Sequence, residues 1–210
     1  MRDGFVKVAA GTPKIRVADC RYNAEQIFTL MREAAAQGVR VLCLPELCLT
    51  GYTCGDLFLQ DTLLSGAEEG LSTILEATKN LDMVTALGMP VRFNNKLYNC
   101  AAVIHKGDVQ CLLPKTHLPN YGEFYEKRWF SAWEPGRFAG VRVGEVYVPI
   151  TDRPLLGVPE AEALTGVPAK IIRAQVRNGL LKARMAGSTT MRIRRADLDA
   201  WLDALPAWHA

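Results

Sequence analysis

Glu46 and Lys115 each stand just beyond an apolar run and beside a proline, in Leu44-Pro45-Glu46-Leu47 and Pro114-Lys115. A carboxylate that exchanges a proton and an ammonium of fixed charge are groups that polar chemistry uses often. Loops at the carboxyl ends of strands are where α/β proteins place such groups. Tyr121, Glu123 and Glu126 follow Lys115 in a segment dense with aromatics. Taken singly, each of these residues also fits an ordinary surface or packing position. Six cysteines (Cys20, Cys43, Cys48, Cys54, Cys100 and Cys111) form no Cys-x-x-Cys pair and no regular framework. Metal sites and disulfide scaffolds both lose support, so no metal or other cofactor is expected and a reducing cytoplasm is the simplest compartment. A second chemistry lies near the other end. Lys170, Arg173, Arg177, Lys182, Arg184, Arg192, Arg194 and Arg195 follow one another with no intervening acid. Such a block is either a solvated face or a surface for nucleic-acid phosphates.

The elements that must position Glu46 and Lys115 follow from periodicity. Phe5 to Ala10 reads as a strand. Asn23 and Gln26 have the spacing of an N-cap and its reciprocal partner. Ile27, Leu30, Met31, Ala34 and Ala35 then form one helical stripe, stopped at Gly38. Val39 to Leu44 reads as a strand buried on both faces, which makes a strand–helix–strand crossover ending just before Glu46. Met83–Met89, Leu97–His105 and Val109–Leu113 read as further strands, with a hairpin turn at Lys106-Gly107-Asp108. Cys43 and Cys100 fall in such strands and read as buried small hydrophobes.

The chain has 210 residues, 49% hydrophobic and 22% charged, which fits folded globular protein. No run of about 18 apolar residues is present, so no membrane span is expected. The first ten residues lack the layout of a secretion signal. Residues 1–150 hold 16 basic and 16 acidic residues, and residues 151–210 hold 9 and 6, so the whole net charge of +3 lies in the tail. The join is placed between Ile150 and Pro154, giving domains over 1–150 and 153–206. In the tail, Ala161 and Leu164 mark a short helix ending at Thr165-Gly166, and Pro168 opens a second. Ile172 and Val176 give the second helix an apolar side, with Lys170, Arg173 and Arg177 on the other. Leu181–Met185 and Thr189–Arg194 pair as strands around Ala186-Gly187-Ser188. Leu198, Trp201, Leu202 and Leu205 mark a last amphipathic helix. About 50 residues make a small core.

Leu44-Pro45-Glu46-Leu47-Cys48-Leu49-Thr50-Gly51-Tyr52 with Gly55-Asp56-Leu57-Phe58 resembles the first signature of the nitrilase (carbon–nitrogen hydrolase) superfamily. The stretch from Pro114-Lys115-Thr116-His117 to Arg128-Trp129-Phe130 resembles the second. The wording is most similar to the glutaminase domains of glutamine-dependent NAD synthetases. The resemblance implies an α/β fold of αββα sandwich type, here partial and truncated after Val148-Pro149-Ile150. It also implies a Glu-Lys-Cys triad: Glu46 as general base, Lys115 as the cation on the tetrahedral intermediate, Glu126 as an additional acid, and Tyr121 lining a glutamine pocket. The nucleophilic cysteine of the family has no counterpart here. Cys48, two residues from Glu46, does not stand in the context of the family's nucleophile and is not read as one. Glutamine binding without turnover is the expectation.

The tail, above all Met191-Arg192-Ile193-Arg194-Arg195-Ala196-Asp197-Leu198-Asp199-Ala200-Trp201-Leu202, resembles the winged helix-turn-helix of excisionase and MerR-like proteins. That resemblance implies DNA as partner through residues 153–206. Arg173 and Arg177 would meet bases or backbone, Lys170 would extend their basic stripe, and Lys182, Arg184, Arg192 and Arg194 would meet phosphates. Two functions from different classes follow. One is a DNA-binding protein with a catalytically incomplete glutaminase-like domain. The other is a glutamine amidohydrolase contributing ammonia to NAD synthesis. An incomplete sandwich would expose apolar surface, so self-association is expected, and no membrane partner.

Overall fold

Residues 5–144, 146–152, 155–186 and 190–205 are described in the computed structural model of the chain. The boundary residues Arg153 and Pro154 and the Gly187-Ser188 turn lie outside them. The chain divides into two compact units, Met1–Asp152 and Arg153–Ala210.

In the first unit, Val8–Ala10 (β1) pairs in parallel with Val41–Cys43 (β2), and β2 with Val84–Phe93 (β3). The helices Cys20–Ala36 (α1) and Asp61–Ala77 (α2) fill the two crossovers, as parallel neighbours require. β3 then turns back through Asn94-Asn95, both at positive φ, into Lys96–His105 (β4). Lys106-Gly107, again at positive φ, leads into Asp108–Pro114 (β5). Two-residue turns of this hand match the twist of the strands they join. Phe138–Val143 (β6) and Val146–Thr151 (β7) form a hairpin that extends the sheet, giving the order β1-β2-β3-β4-β5-β7-β6. Among the described residues this unit holds one seven-stranded sheet.

α1 begins a turn earlier than the Asn23–Gln26 pair predicts. Asp19 is its N-cap, with the carboxylate accepting the Tyr22 amide at 3.1 Å. Asn23 is instead fully buried. Its side chain accepts from the Arg16 amide and donates to the Arg16 and Leu49 carbonyls, pinning the loop after Glu46 to the helix. Ile27, Met31 and Ala34 of the predicted stripe are buried in one core with Leu63, Leu64, Ala67, Leu71 and Ile74 of α2. Leu42, Leu87, Ala102, Ile104 and Leu112 of the sheet complete it. Both helices therefore cover one face.

The other face is where the sequence reading fails. β2 is buried at Leu42 alone, while Val41 and Cys43 are exposed. A run of apolar residues cannot say whether one layer or two will cover a strand; that depends on what else the chain supplies. Cys100 is buried as expected.

The second unit begins with Leu155–Leu156 (β8) and Val158–Thr165 (α3), which ends at Gly166 in the left-handed conformation. Ala169–Arg177 (α4) follows. Pro168 is its N-cap, and the Glu162 carboxylate of α3 accepts the Ala169 amide at 3.0 Å. Arg184–Ala186 (β9) and Thr190–Arg194 (β10) pair antiparallel, and β10 also pairs with β8. Arg195–Asp203 (α5) closes the unit. Leu156, Val158, Ala161, Ile172, Leu181, Ile193, Leu198 and Trp201 form its core. Leu181 packs inward rather than joining β9, and Leu205 lies exposed beyond α5.

Candidate functional site

The chain leaves β2 through Pro45 and crosses β3 at Gly88. A Cβ on Gly88 would strike the Leu47 backbone, so glycine is what lets this crossing lie flat. Leu47, at φ 50°, and the bond from the Leu49 amide to the Gly88 carbonyl fix the path. Glu46 is thereby held above β4, where Asn99 Nδ2 donates to its Oε1 at 2.5 Å. Lys115 leaves the end of β5 with its amide on the Asn99 carbonyl. Its Nζ donates to Glu46 Oε1 at 2.6 Å and to both Glu126 oxygens at 3.0 Å. Glu126 opens a 3-10 turn, its side chain only 3% exposed, and Tyr52 donates its hydroxyl to Glu126 Oε1 at 2.7 Å.

Glu46, Lys115 and Glu126, which are far apart in sequence, thus meet in one cluster. Partial burial opposes the charge on Lys115. The hydrogen bonds and charges of Glu46 and Glu126 outweigh that and hold its ammonium protonated above the ordinary lysine range. Burial, with Glu126 as hydrogen-bond acceptor, pushes the Tyr52 hydroxyl well up, so it acts only as donor. Asn99 and Tyr52 are members that sequence reasoning left out. An asparagine within the otherwise apolar run Leu97–Val103 was the available signal for Asn99, since strands disfavour it unless it has a bond to make. Tyr121 is not brought to Glu46 or Lys115. It is 71% exposed and meets Phe124 edge-on at 5.9 Å, and Phe124 in turn meets Tyr52.

Cys43, Glu46, Asn99 and Lys115 line one shallow cleft of about 290 Å³. Cys48 does not. It is buried, with its Sγ toward the Gly88 carbonyl, and burial pushes its thiol up to about 11. Burial likewise raises Cys20, Cys54, Cys100 and Cys111. Protonated thiols of this kind are poor nucleophiles. Behind the cluster, Asp56 accepts from Arg128 and from Trp129 Nε1, fastening the segment after Glu126 to the loop after Tyr52. Among the described residues, no group of three or more His, Cys, Asp or Glu is arranged to hold a metal ion.

In the second unit, Lys170, Arg173 and Arg177 are exposed on α4, while Ile172 of the same helix is fully buried. Lys182 and Arg184 are exposed, and Arg192 is partly so. Arg184 and Arg192 sit directly opposite each other in the β9–β10 register. Arg194 is paired with Asp197 at 3.2 Å, so its charge is in part already spent. The Arg195 side chain lies outside the description. Among the described residues, no helix is long and apolar enough to cross a membrane.

The carbon–nitrogen hydrolase family profile matches residues 7–165, and a helix-turn-helix domain profile matches residues 155–206. The stretch 155–165 belongs to both matches; in the structure it forms β8 and α3 of the second unit. A glutamine-dependent NAD(+) synthetase of Mycobacterium leprae is 42% identical over 125 residues, 60% of this chain and 18% of that protein. One from Aquifex aeolicus is 37% identical over 118 residues, 56% of this chain and 20% of that protein. The chain thus spans about a fifth of the length of these relatives. The crystal structure of a glutamine-dependent NAD(+) synthetase from Cytophaga hutchinsonii superposes with a TM-score of 0.67 at 33% identity, over 72% of this chain and 26% of that one. An amidase from Nesterenkonia sp. shares the fold, with a TM-score of 0.55 at 20% identity, over 72% of this chain and 56% of its own.

Proposed function

The chain belongs to the carbon–nitrogen hydrolase family, and we propose that it acts as a DNA-binding protein whose hydrolase-type unit binds a carboxamide without turning it over. The observation that carries this reading is the division of α4, with Ile172 in the core and Lys170, Arg173 and Arg177 exposed together. Such a helix can enter a major groove with its arginines against base edges or phosphates. Arg184 and Arg192, opposed across the ribbon, repel each other until an anion sits between them, and a phosphate of the duplex backbone is such an anion. Lys182 and Arg194 would add to that contact.

In the first unit, Glu46 is the proton acceptor, Lys115 the oxyanion partner and Glu126 the group that orients Lys115. Tyr121 and its loop would border a glutamine site. Covalent acyl transfer also requires a thiolate that attacks the carbonyl carbon. No cysteine here stands in the context of the family's nucleophile, and Cys48, near Glu46 in sequence, is held protonated by burial. A glutamine amidohydrolase that supplies ammonia to NAD synthesis is the second reading, favoured by the assembled Glu46–Lys115–Glu126 cluster.

One pair of experiments separates them. Duplex binding by the full chain should weaken steeply with salt, and replacing Arg173 and Arg177 together with Ala should lower affinity about tenfold or more and flatten the salt slope. Replacing Asp203 with Asn should leave affinity within about twofold. Ammonia release from glutamine should stay at background. Binding indifferent to the arginine changes would remove the DNA reading, and release abolished by Glu46→Gln would establish the enzymatic one.

A further inference from the structure

A groove of about 510 Å³ opens in the second unit beside the end of α4 and the β9–β10 ribbon. Lys182, Arg184, Arg192 and Arg194 line it, and among the described residues Asp197 is the one acid that does. Arg184 and Arg192 oppose each other with like charge across the ribbon, an arrangement that favours an anion in the space they share. Asp197 already supplies one. Its Oδ2 lies 3.2 Å from Arg194 Nε. The two partners are not held alike. Asp197 is 20% exposed and stands in the first turn of α5, where the amide end of the helix favours negative charge. Arg194 is 52% exposed, so it is the partner that can leave.

We propose that this groove seats one phosphate of the bound duplex and that Asp197 gates it. In the free chain the carboxylate occupies Arg194; in the complex the phosphate takes Arg194, and Asp197 stays behind on α5. The inference rests on the DNA-binding reading and adds to it an internal competitor. Lys182, Arg184 and Arg192 draw the phosphate in, while Arg194 has to change partners. The exchange swaps one exposed ion pair for another, so Arg194 adds less than a free guanidinium would, and the unpaired Asp197 is left near a like charge. Asp197 thus steadies its helix and weakens the complex. A carboxylate that served α5 alone would have no such effect on binding.

Duplex binding by the full chain at about 0.15 M salt, where charges more than about 8 Å apart are largely screened, tests the exchange. Asp197→Asn should tighten binding about two- to fivefold, the range that one exposed ion pair spans. In an Arg194→Gln background the same change should gain less than half as much, because no guanidinium is released. Asp203→Asn, at the far end of α5, should leave affinity within about twofold. In the wild type, the Arg194 Nε–H resonance should shift as duplex is added and saturate with binding. That last measurement decides alone if Asp197→Asn loses cooperative unfolding. An Arg194 signal that stays put under saturating duplex, or a variant that folds and binds no tighter, overturns the proposal and leaves the DNA reading standing. An equal gain with and without Arg194 also overturns it, since Asp197 would then act by long-range repulsion alone. Failure of the wild-type chain to bind duplex removes the DNA reading itself, and the gate with it.

Discussion

Lys115 and Arg173 carry the same charge in opposite circumstances. The first is ringed by Glu46 and Glu126 at 2.6 and 3.0 Å, with Asn99 and Tyr52 holding those carboxylates in turn. The second stands exposed on a helix whose other side is core. Charge in the hydrolase-type unit is satisfied before any ligand arrives, so its value there is geometric. The exposed basic side chains of α4 would meet an anionic partner only on binding, so their value would depend on salt. The cores differ as well. Among the described residues, eight buried apolar side chains hold the second unit, whereas two helices and a seven-stranded sheet share the first. Small cores have little stability in reserve.

The largest expected effect bears on that last contrast. Leu198→Ala and Ile74→Ala each empty a fully buried site and should cost about 2–5 kcal/mol. In the small unit that exhausts a reserve of about 3–5 kcal/mol, so Leu198→Ala should abolish amide-exchange protection across residues 155–205. Ile74→Ala should leave the first unit folded with a lower urea midpoint. Equal tolerance in both would erase the difference in reserve.

Lys115→Met comes next. It leaves the buried Glu126 carboxylate with the Tyr52 hydroxyl as its donor. Breaking a fully buried pair costs about 3–5 kcal/mol, and the partial exposure of Lys115 and Glu46 reduces this to about 1–3 kcal/mol. The pH dependence has a definite sign. Because the folded state raises the Lys115 pKa, its contribution is complete below about pH 10.4, the unfolded value, and disappears as pH rises through the folded value. Urea midpoints of wild type and variant should therefore converge in strong alkali. Parallel curves would mean that the cluster adds nothing to stability.

The smallest effect is on the surface. Asp82 accepts from His105, Lys106 and Arg40, which pull its carboxyl down to about 2. A lowered pKa contributes above about pH 3.9 and is lost as pH falls through about 2. Asp82→Asn should thus alter only acid unfolding, by an amount that shrinks in high salt, since the group is exposed. An effect as large as that of Lys115→Met would mean that burial is not what separates the two clusters.

Glu46, Lys115 and Glu126 were legible because they sit in long, distinctive phrases, and the stripe Ile27–Met31–Ala34 because a helix repeats its buried positions. Asn23 was misread because a polar residue before a stripe fits a cap; its actual task, tying Arg16 and Leu49 together, joins segments no local pattern connects. Val41 and Cys43 were misread for the same reason. Coverage of a sheet face belongs to the assembly, and an apolar strand reads alike whether one layer or two lie over it. Asn99 and Tyr52 act through Glu46 and Glu126, so their meaning emerges only once the fold has placed those carboxylates.

The bond from the Ala169 amide to the Glu162 carboxylate has a consequence for how the basic helix meets its target. A helix usually takes its cap from its own preceding residue, which leaves its direction to packing alone. Here the N-cap Pro168 makes no side-chain cap bond, and the carboxylate that takes the Ala169 amide belongs to the neighbouring helix. The angle of α4 to α3 is therefore held by this bond as well as by packing. The ordering cost of that angle falls on folding rather than on association. Any partner that docks on Lys170, Arg173 and Arg177 therefore meets a pre-aimed surface, and keeps for affinity what it would otherwise lose in aligning it.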